Sequence, residues 1–250
     1  VTFSPDSPHV AEVLASANRG ERIGGPTDLL ILHYTGMATG KDALKRLRDP
    51  SAEVSAHYLV FEDGRVVQLV PEAERAWHAG RGFWAGITDI NSRSIGIEIV
   101  HPGHVGGLPP YPDAQVRAVI ALCADIVGRN AIPAARVLAH SDVAPARKED
   151  PGENFPWDRL AAAGIGHWVA PAPIRDGRFF ARGEEGEPIA ALQAMFALYG
   201  YDQPVTGRFD EGTRAVVTAF QRHFRPARVD GVADSSTITT LRDLIAARPG

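Results

Sequence analysis

The run from His140 to Gly152 opens on an imidazole, carries a carboxylate, Asp150, near its end, and places an ammonium, Lys148, two positions before that carboxylate. A catalytic zinc ion is commonly held by three side chains of His and carboxylate type, with a fourth position left for water. The run reads as two-thirds of such a set. The candidate for the third ligand is His33, which follows the apolar stretch Leu29-Leu30-Ile31-Leu32, where a buried strand would deliver a polar residue at its tip. Strand ends are where open sheets build sites. An extended turn would point Lys148 and Asp150 to one side. Spacing alone leaves a plainer alternative open, because the chain has nine His and none of the compact zinc signatures. A His capping a strand, beside an Asp-Pro-Gly turn, would look the same.

The elements that must position these groups can be read in outline. The strand ending at His33 precedes a helical stretch from Lys41 to Arg48, closed by Asp49-Pro50. A hairpin follows, from His57–Phe61 through a Glu62-Asp63-Gly64 turn into Arg65–Val70. From Ser94 to Val100, Ile95, Ile97 and Ile99 alternate with Gly96 and Glu98, which sends Glu98 away from the isoleucine face. A helix around Cys123, a short strand Val137–Ala139 feeding His140, and a helix from about Trp157 complete the unit. The expected class is α/β, a mixed sheet flanked by helices. Residues 166–186, rich in Pro and Gly, read as a linker between domains at 1–165 and 187–250. The last segment reads as three short helices, the first burying Ile189, Leu192, Met195, Phe196 and Tyr199, the second Ala215, Val216, Ala219, Phe220 and Phe224.

Composition narrows the function classes. At 250 residues, a core plus a satellite is the natural division. Lys+Arg 26 against Asp+Glu 30 gives a net charge of −4, which offers no basic footprint for nucleic acid. The single Cys, Cys123, excludes an intrachain disulfide and sits on the apolar side of its helix. No apolar run is long enough to span a bilayer, and no basic-then-apolar start resembles a secretory signal.

Five segments occur in a telling order: His33-Tyr34-Thr35, Ser55–Val60, Ala76–Gly80, Ser94–Ile99 and His140–Gly152. Together they resemble the zinc-dependent N-acetylmuramoyl-L-alanine amidases of the type 2 family, over about residues 20 to 165. The tail resembles the peptidoglycan-binding type 1 domain through Ala191-Leu192-Gln193, Tyr199-Gly200-Tyr201, Gly207–Asp210, Thr213, Phe220-Gln221 and Asp230-Gly231. The first resemblance implies one zinc on His33, His140 and Asp150, with Glu98 as general acid/base and Lys148 stabilising the oxyanion. It also implies hydrolysis of the bond between N-acetylmuramic acid and L-alanine, in peptidoglycan or muropeptides. A non-catalytic peptidoglycan-recognition protein and a zinc peptidase acting within the stem peptide are the other classes to weigh. Trp77, His78, Trp84 and Asn91 are expected to line the substrate groove, since aromatic faces suit sugars and amides suit peptide groups. His57 is expected to be a hydrogen-bonded structural residue, and His101 and His104 solvent-facing loop residues. A wall-binding tail implies work in the cell envelope, in the periplasm.

Overall fold

The computed structural model describes residues 3–248; Val1, Thr2, Pro249 and Gly250, at the outer ends of the two expected domains, lie outside the described residues. In chain order the elements begin with β1 (Glu12–Val13), β2 (Arg19–Gly20), β3 (Leu29–Tyr34), α1 (Gly40–Arg48), β4 (Tyr58–Val60), β5 (Val66–Gln68) and β6 (Arg75–Ala76). They continue with α2 (Ile90–Arg93), β7 (Ser94–Ile99), α3 (Asp113–Asn130), β8 (Val137–Ala139), α4 (His140–Val143) and α5 (Trp157–Ala162). The tail holds α6 (Glu187–Tyr199), α7 (Glu211–Phe224) and α8 (Ser235–Ala246). One mixed sheet has the order β1-β5-β4-β7-β3-β8, in which β4, β7, β3 and β8 run parallel and β5 pairs antiparallel with β4.

The centre of this sheet is covered on both faces, which is why β3 reads as an unbroken apolar run. Leu30 and Leu32 of β3 join Ile95, Ile97 and Ile99 of β7 beneath α3 and α5. Leu29 and Ile31 face the other way, into a cluster that contains Ile189, Leu192, Phe196, Phe220 and Leu241 of the tail. His33 continues that second face, and in the register of the sheet it stands opposite Glu98. The alternation read in Ser94–Val100 therefore places Glu98 beside His33.

The three tail helices have the expected inner residues, except that Met195 and Ala215 are only partly covered. Asp210 and Asp234 cap α7 and α8 by accepting from the Thr213 and Thr237 amides. Periodicity does not reveal two buried glutamines. Gln193 Oε1 accepts from the Thr206 and Gly207 amides and its Nε2 donates to the Arg208 carbonyl; Gln221 repeats this with Asp230, Gly231 and Val232. Each side chain fastens a turn to a helix, and the turn-cap-threonine pattern around it occurs twice in the tail.

The stretch 166–186 carries no helix, yet it is packed down. His167 is buried and bonds the Tyr199 hydroxyl, Trp168 packs against both main clusters, and Phe180 pairs with Ala233. The sequence boundary is thus not a boundary in packing: one apolar cluster runs from the sheet into the tail.

His57, just before β4, has the structural role expected of it. Its Nδ1 accepts from the Gly96 amide at 3.0 Å and its Nε2 faces the Glu74 carbonyl at 3.0 Å, joining β4 to β7 and to the loop before β6. Burial, aided by the nearby Arg22 cation, lowers its pKa from 6.5 to about 3. Its folded value lies below its unfolded one, so its contribution to stability is complete above pH ~6.5 and is lost as pH falls toward 3. In the His57→Asn variant, the drop in unfolding free energy between pH 7 and pH 4 is expected to be smaller than in wild type by roughly 3 kcal/mol. Denaturant titrations at the two pH values measure the difference, and equal drops would contradict a buried neutral His57.

Candidate metal centre and active site

Three parallel strands deliver the site at one end of the sheet. His33 comes from β3, Glu98 from β7, and His140 is the first helical residue after β8. Asp150 closes the loop that follows α4, and the Ser141 amide donates to the Asp150 carbonyl at 3.0 Å, which ties the loop's two ends together. The result is a tight triangle. His33 Nδ1 and His140 Nδ1 are 2.8 Å apart, and Asp150 Oδ2 lies 3.0 Å from the first and 2.9 Å from the second. Among the described residues this is the group of His, Cys and carboxylate side chains arranged to hold a metal ion.

The outer hydrogen bonds determine where the imidazole protons sit. His140 Nε2 is 2.9 Å from the Ala79 carbonyl, which can only accept, so that nitrogen carries the proton and Nδ1 keeps a lone pair. The chain behind His33 is longer. The Ser94 hydroxyl donates to the Ile90 carbonyl at 2.6 Å, hence accepts from His78 Nε2 at 3.1 Å. His78 Nδ1 is then an acceptor for His33 Nε2 at 2.9 Å, and His33 Nδ1 also keeps a lone pair. Two lone pairs and a carboxylate oxygen, all within 3.0 Å, face one another with no proton to share. Such a donor set fits a cation at its centre, and outward N–H bonds of this kind are what orient metal-binding imidazoles. Atoms so spaced can all lie ~2.0–2.1 Å from one point, the distance zinc requires.

Electrostatics agree with this arrangement. Burial, reinforced by His140, lowers the His33 pKa to about 4. Glu98 behaves oppositely: burial and the Asp150 charge push it well above its ordinary value, against the pull of Lys148. Its Oε2 is buried without a hydrogen-bond partner. Glu98, Lys148, His140, Asp150 and His78 line a single cavity of about 260 Å³.

Of the four residues expected in the substrate groove, His78 lines this cavity, and its ring also supports His33. The other three do not line it. Trp84 is fully buried beneath the tail, edge-on to Tyr199 and Tyr201, with Gly200 close against its ring. It is a core residue at the junction with the tail. Asn91 is buried and its Oδ1 accepts from the His78 and Ala79 amides at 3.1 and 2.8 Å, so it shapes the loop that partners both imidazoles. Trp77 is partly buried, and its backbone is held by Ser55. His101 and His104 also depart from expectation. His101 is buried, stacked on Tyr111 and bonded to the Pro109 carbonyl; His104 bonds the Tyr34 hydroxyl and Glu153.

Other cavity residues had no distinct signal. Tyr34, Thr35 and Met37 follow His33 directly, whereas Arg46 and Leu47 come from α1 and Val54 from the loop beyond it. Gly96 is different, because its place in an alternating strand marks a close approach. A Cβ there would meet the His78 ring at 2.5 Å. Gly96→Ala is expected to displace that ring, cost ~1–3 kcal/mol of stability and, if the triangle holds zinc, weaken its binding by ~10-fold. Zinc titration against a competing chelator checks it, and unchanged affinity would remove His78 from the support of His33.

Residues 23–153 match the family described as N-acetylmuramoyl-L-alanine amidase, and residues 185–241 match a peptidoglycan binding domain. The N-acetylmuramoyl-L-alanine amidase AmiD of Escherichia coli (strain K12) is 41% identical over 225 residues, covering 84% of this chain and 79% of that protein. The 1,6-anhydro-N-acetylmuramyl-L-alanine amidase AmpD of Enterobacter cloacae is 42% identical over 109 residues, 44% of this chain and 56% of that protein. Among solved structures, AmiD from E. coli in complex with an anhydro-N-acetylmuramic acid peptide superposes with a TM-score of 0.76 at 38% identity, covering 91% of this chain and 92% of that one. AmpDh3 from Pseudomonas aeruginosa in complex with anhydromuramic pentapeptide gives 0.77 at 32% identity, covering 100% of both. With this sequence agreement and this fold, the chain belongs to the N-acetylmuramoyl-L-alanine amidase family, its amidase domain followed by a peptidoglycan binding domain.

Proposed function

We propose that this chain is a zinc hydrolase that cuts the amide between the lactyl group of N-acetylmuramic acid and the L-alanine of the stem peptide, with one zinc held by His33, His140 and Asp150. The observation that carries the reading is the triangle of three electron-rich atoms opening into the same cavity as an unpartnered Glu98 carboxylate oxygen. When bound, zinc supplies a Lewis acid that makes water nucleophilic at neutral pH. Glu98 takes the proton of the attacking water and returns it to the departing alanine nitrogen, so that the leaving group departs as a neutral amine. Its raised pKa suits both halves of that task. Lys148, on the cavity wall, balances the negative charge that develops on the carbonyl oxygen. His78, with Ser94 behind it, holds His33 in one tautomer; Asn91 shapes the backbone around His78 and Ala79.

Peptidoglycan and the muropeptides released from it are the proposed partners. The tail at 187–250 is proposed to hold the wall and the domain at 1–165 to cut it, with 166–186 as the connection. The protein's proposed place of work is accordingly the cell envelope, in the periplasm. Among the described residues no helix is long and apolar enough to cross a membrane.

The test is mass analysis of products from anhydro and intact muropeptides, with and without chelator. Release of free stem peptide beginning with L-alanine, abolished by chelator and restored by zinc, is expected. Cleavage within the stem would make the protein a peptidase, and binding without products would make it a recognition protein.

A further inference from the structure

Asp142 lies on the turn that carries His140 and is wholly buried beneath the tail. Its carboxylate accepts three hydrogen bonds. The Ala139 amide donates to Oδ2 at 2.8 Å, His223 Nδ1 faces the same oxygen at 2.6 Å, and the Tyr201 hydroxyl donates to Oδ1 at 2.7 Å. The first bond closes the corner between β8 and α4, at which His140 is the first helical residue. The other two partners come from the tail, across the shared apolar cluster. Neither is free to drift: the His223 ring stacks on Trp157 with centroids 3.7 Å apart, and the Tyr201 ring sits edge-on to Trp84 at 5.0 Å.

We infer that Tyr201 and His223 are positioning residues for His140, so that the tail holds the corner bearing a metal ligand as well as its proposed grip on the wall. The inference rests on the reading of His140 as a zinc ligand. A buried carboxylate deprived of either tail donor is under-solvated and no longer fixed in orientation, so it can turn away from the Ala139 amide in search of another partner. The bonds from His140 Nε2 to Ala79 and from Ser141 to Asp150 remain, so the effect is a loosened ligand and not a lost one.

The test compares full-length Tyr201→Phe, His223→Ala, His223→Asn and Leu241→Ala proteins. Leu241 is buried in the tail core and is absent from the hydrogen-bond network around Asp142, so its truncation loosens the tail without touching the corner. Zinc affinity is read by competition with a chromophoric chelator at a temperature where circular dichroism shows each protein folded. Tyr201→Phe and His223→Ala are expected to bind zinc ~10-fold more weakly, with kcat restored by excess zinc and KM unchanged. His223→Asn, which keeps a donor near Nδ1, recovers most of the affinity, and Leu241→Ala melts earlier with wild-type affinity. Wild-type affinity in Tyr201→Phe, a variant of nearly unchanged shape, would overturn the inference even if His223→Ala failed to fold. So would equal weakening in Leu241→Ala. If wild type itself held no zinc, the reading of the metal centre would fall first and this inference with it.

Discussion

Replacing Glu98 by alanine is expected to lower kcat for hydrolysis of a muramyl-alanine substrate by ~10²–10⁴-fold while one zinc per chain is retained. The magnitude follows from its proposed role, in which the residue moves a proton in both directions. The fate of the metal follows from geometry: the three converging atoms belong to His33, His140 and Asp150, each held by bonds that Glu98 does not make. The same residue predicts the acid side of the pH profile. Only the carboxylate form accepts a proton, and burial, the largest cause of the raised pKa, keeps the acid form present to a pH above the ordinary 4.5. Wild-type kcat/KM therefore falls on mild acidification, and the residual activity of Glu98→Ala lacks that limb. Metal analysis with steady-state kinetics across pH decides the matter; an alanine variant with wild-type turnover would remove Glu98 from the chemistry.

His140→Ala is expected to abolish measurable turnover by a different route, through the metal. It removes one corner of the triangle and also leaves the Ala79 carbonyl without the imidazole proton it accepted. Loss of a ligand exceeds loss of a supporting partner, so zinc binding should weaken by more than ~100-fold. Inductively coupled plasma measurement on dialysed protein is the direct check. Stoichiometric zinc in this variant would overturn the ligand set, whereas metal loss with a native circular dichroism spectrum separates it cleanly from Glu98→Ala.

The parts of the molecule that could be read from the sequence are those that periodicity governs. Alternation in Ser94–Ile99 located Glu98, and an apolar run located His33 at a strand tip, because a side chain's face in a strand depends only on its parity. Helical spacing likewise gave most of the inner residues of α6 and α7. What escaped depends on contacts between distant segments. Trp84 reads as a groove aromatic because nothing local says that Tyr199 and Tyr201 will close over it. Asn91, in the short helix α2, and His101, in a loop, are polar residues, and only the fold shows that both are buried and bonded to backbone groups. Gln193 and Gln221 interrupt an apolar face and look like surface positions until the turns they hold are seen. The reach of the tail into the sheet is invisible for the same reason. An amphipathic pattern announces a face to be covered, never the surface that covers it.

The continuous apolar cluster joining sheet to tail has a consequence for how the proposed enzyme would meet an insoluble polymer. A hydrolase on a slack tether sweeps a volume set by the length of its leash, and every bond inside that volume is within reach. Here there is no leash to pay out: the tail proposed to grip the wall and the domain proposed to cut it are packed against one apolar cluster, which holds the two at one offset. A wall whose spacing matches the offset would be cut where it is gripped, and a denser or sparser one would be held without being opened.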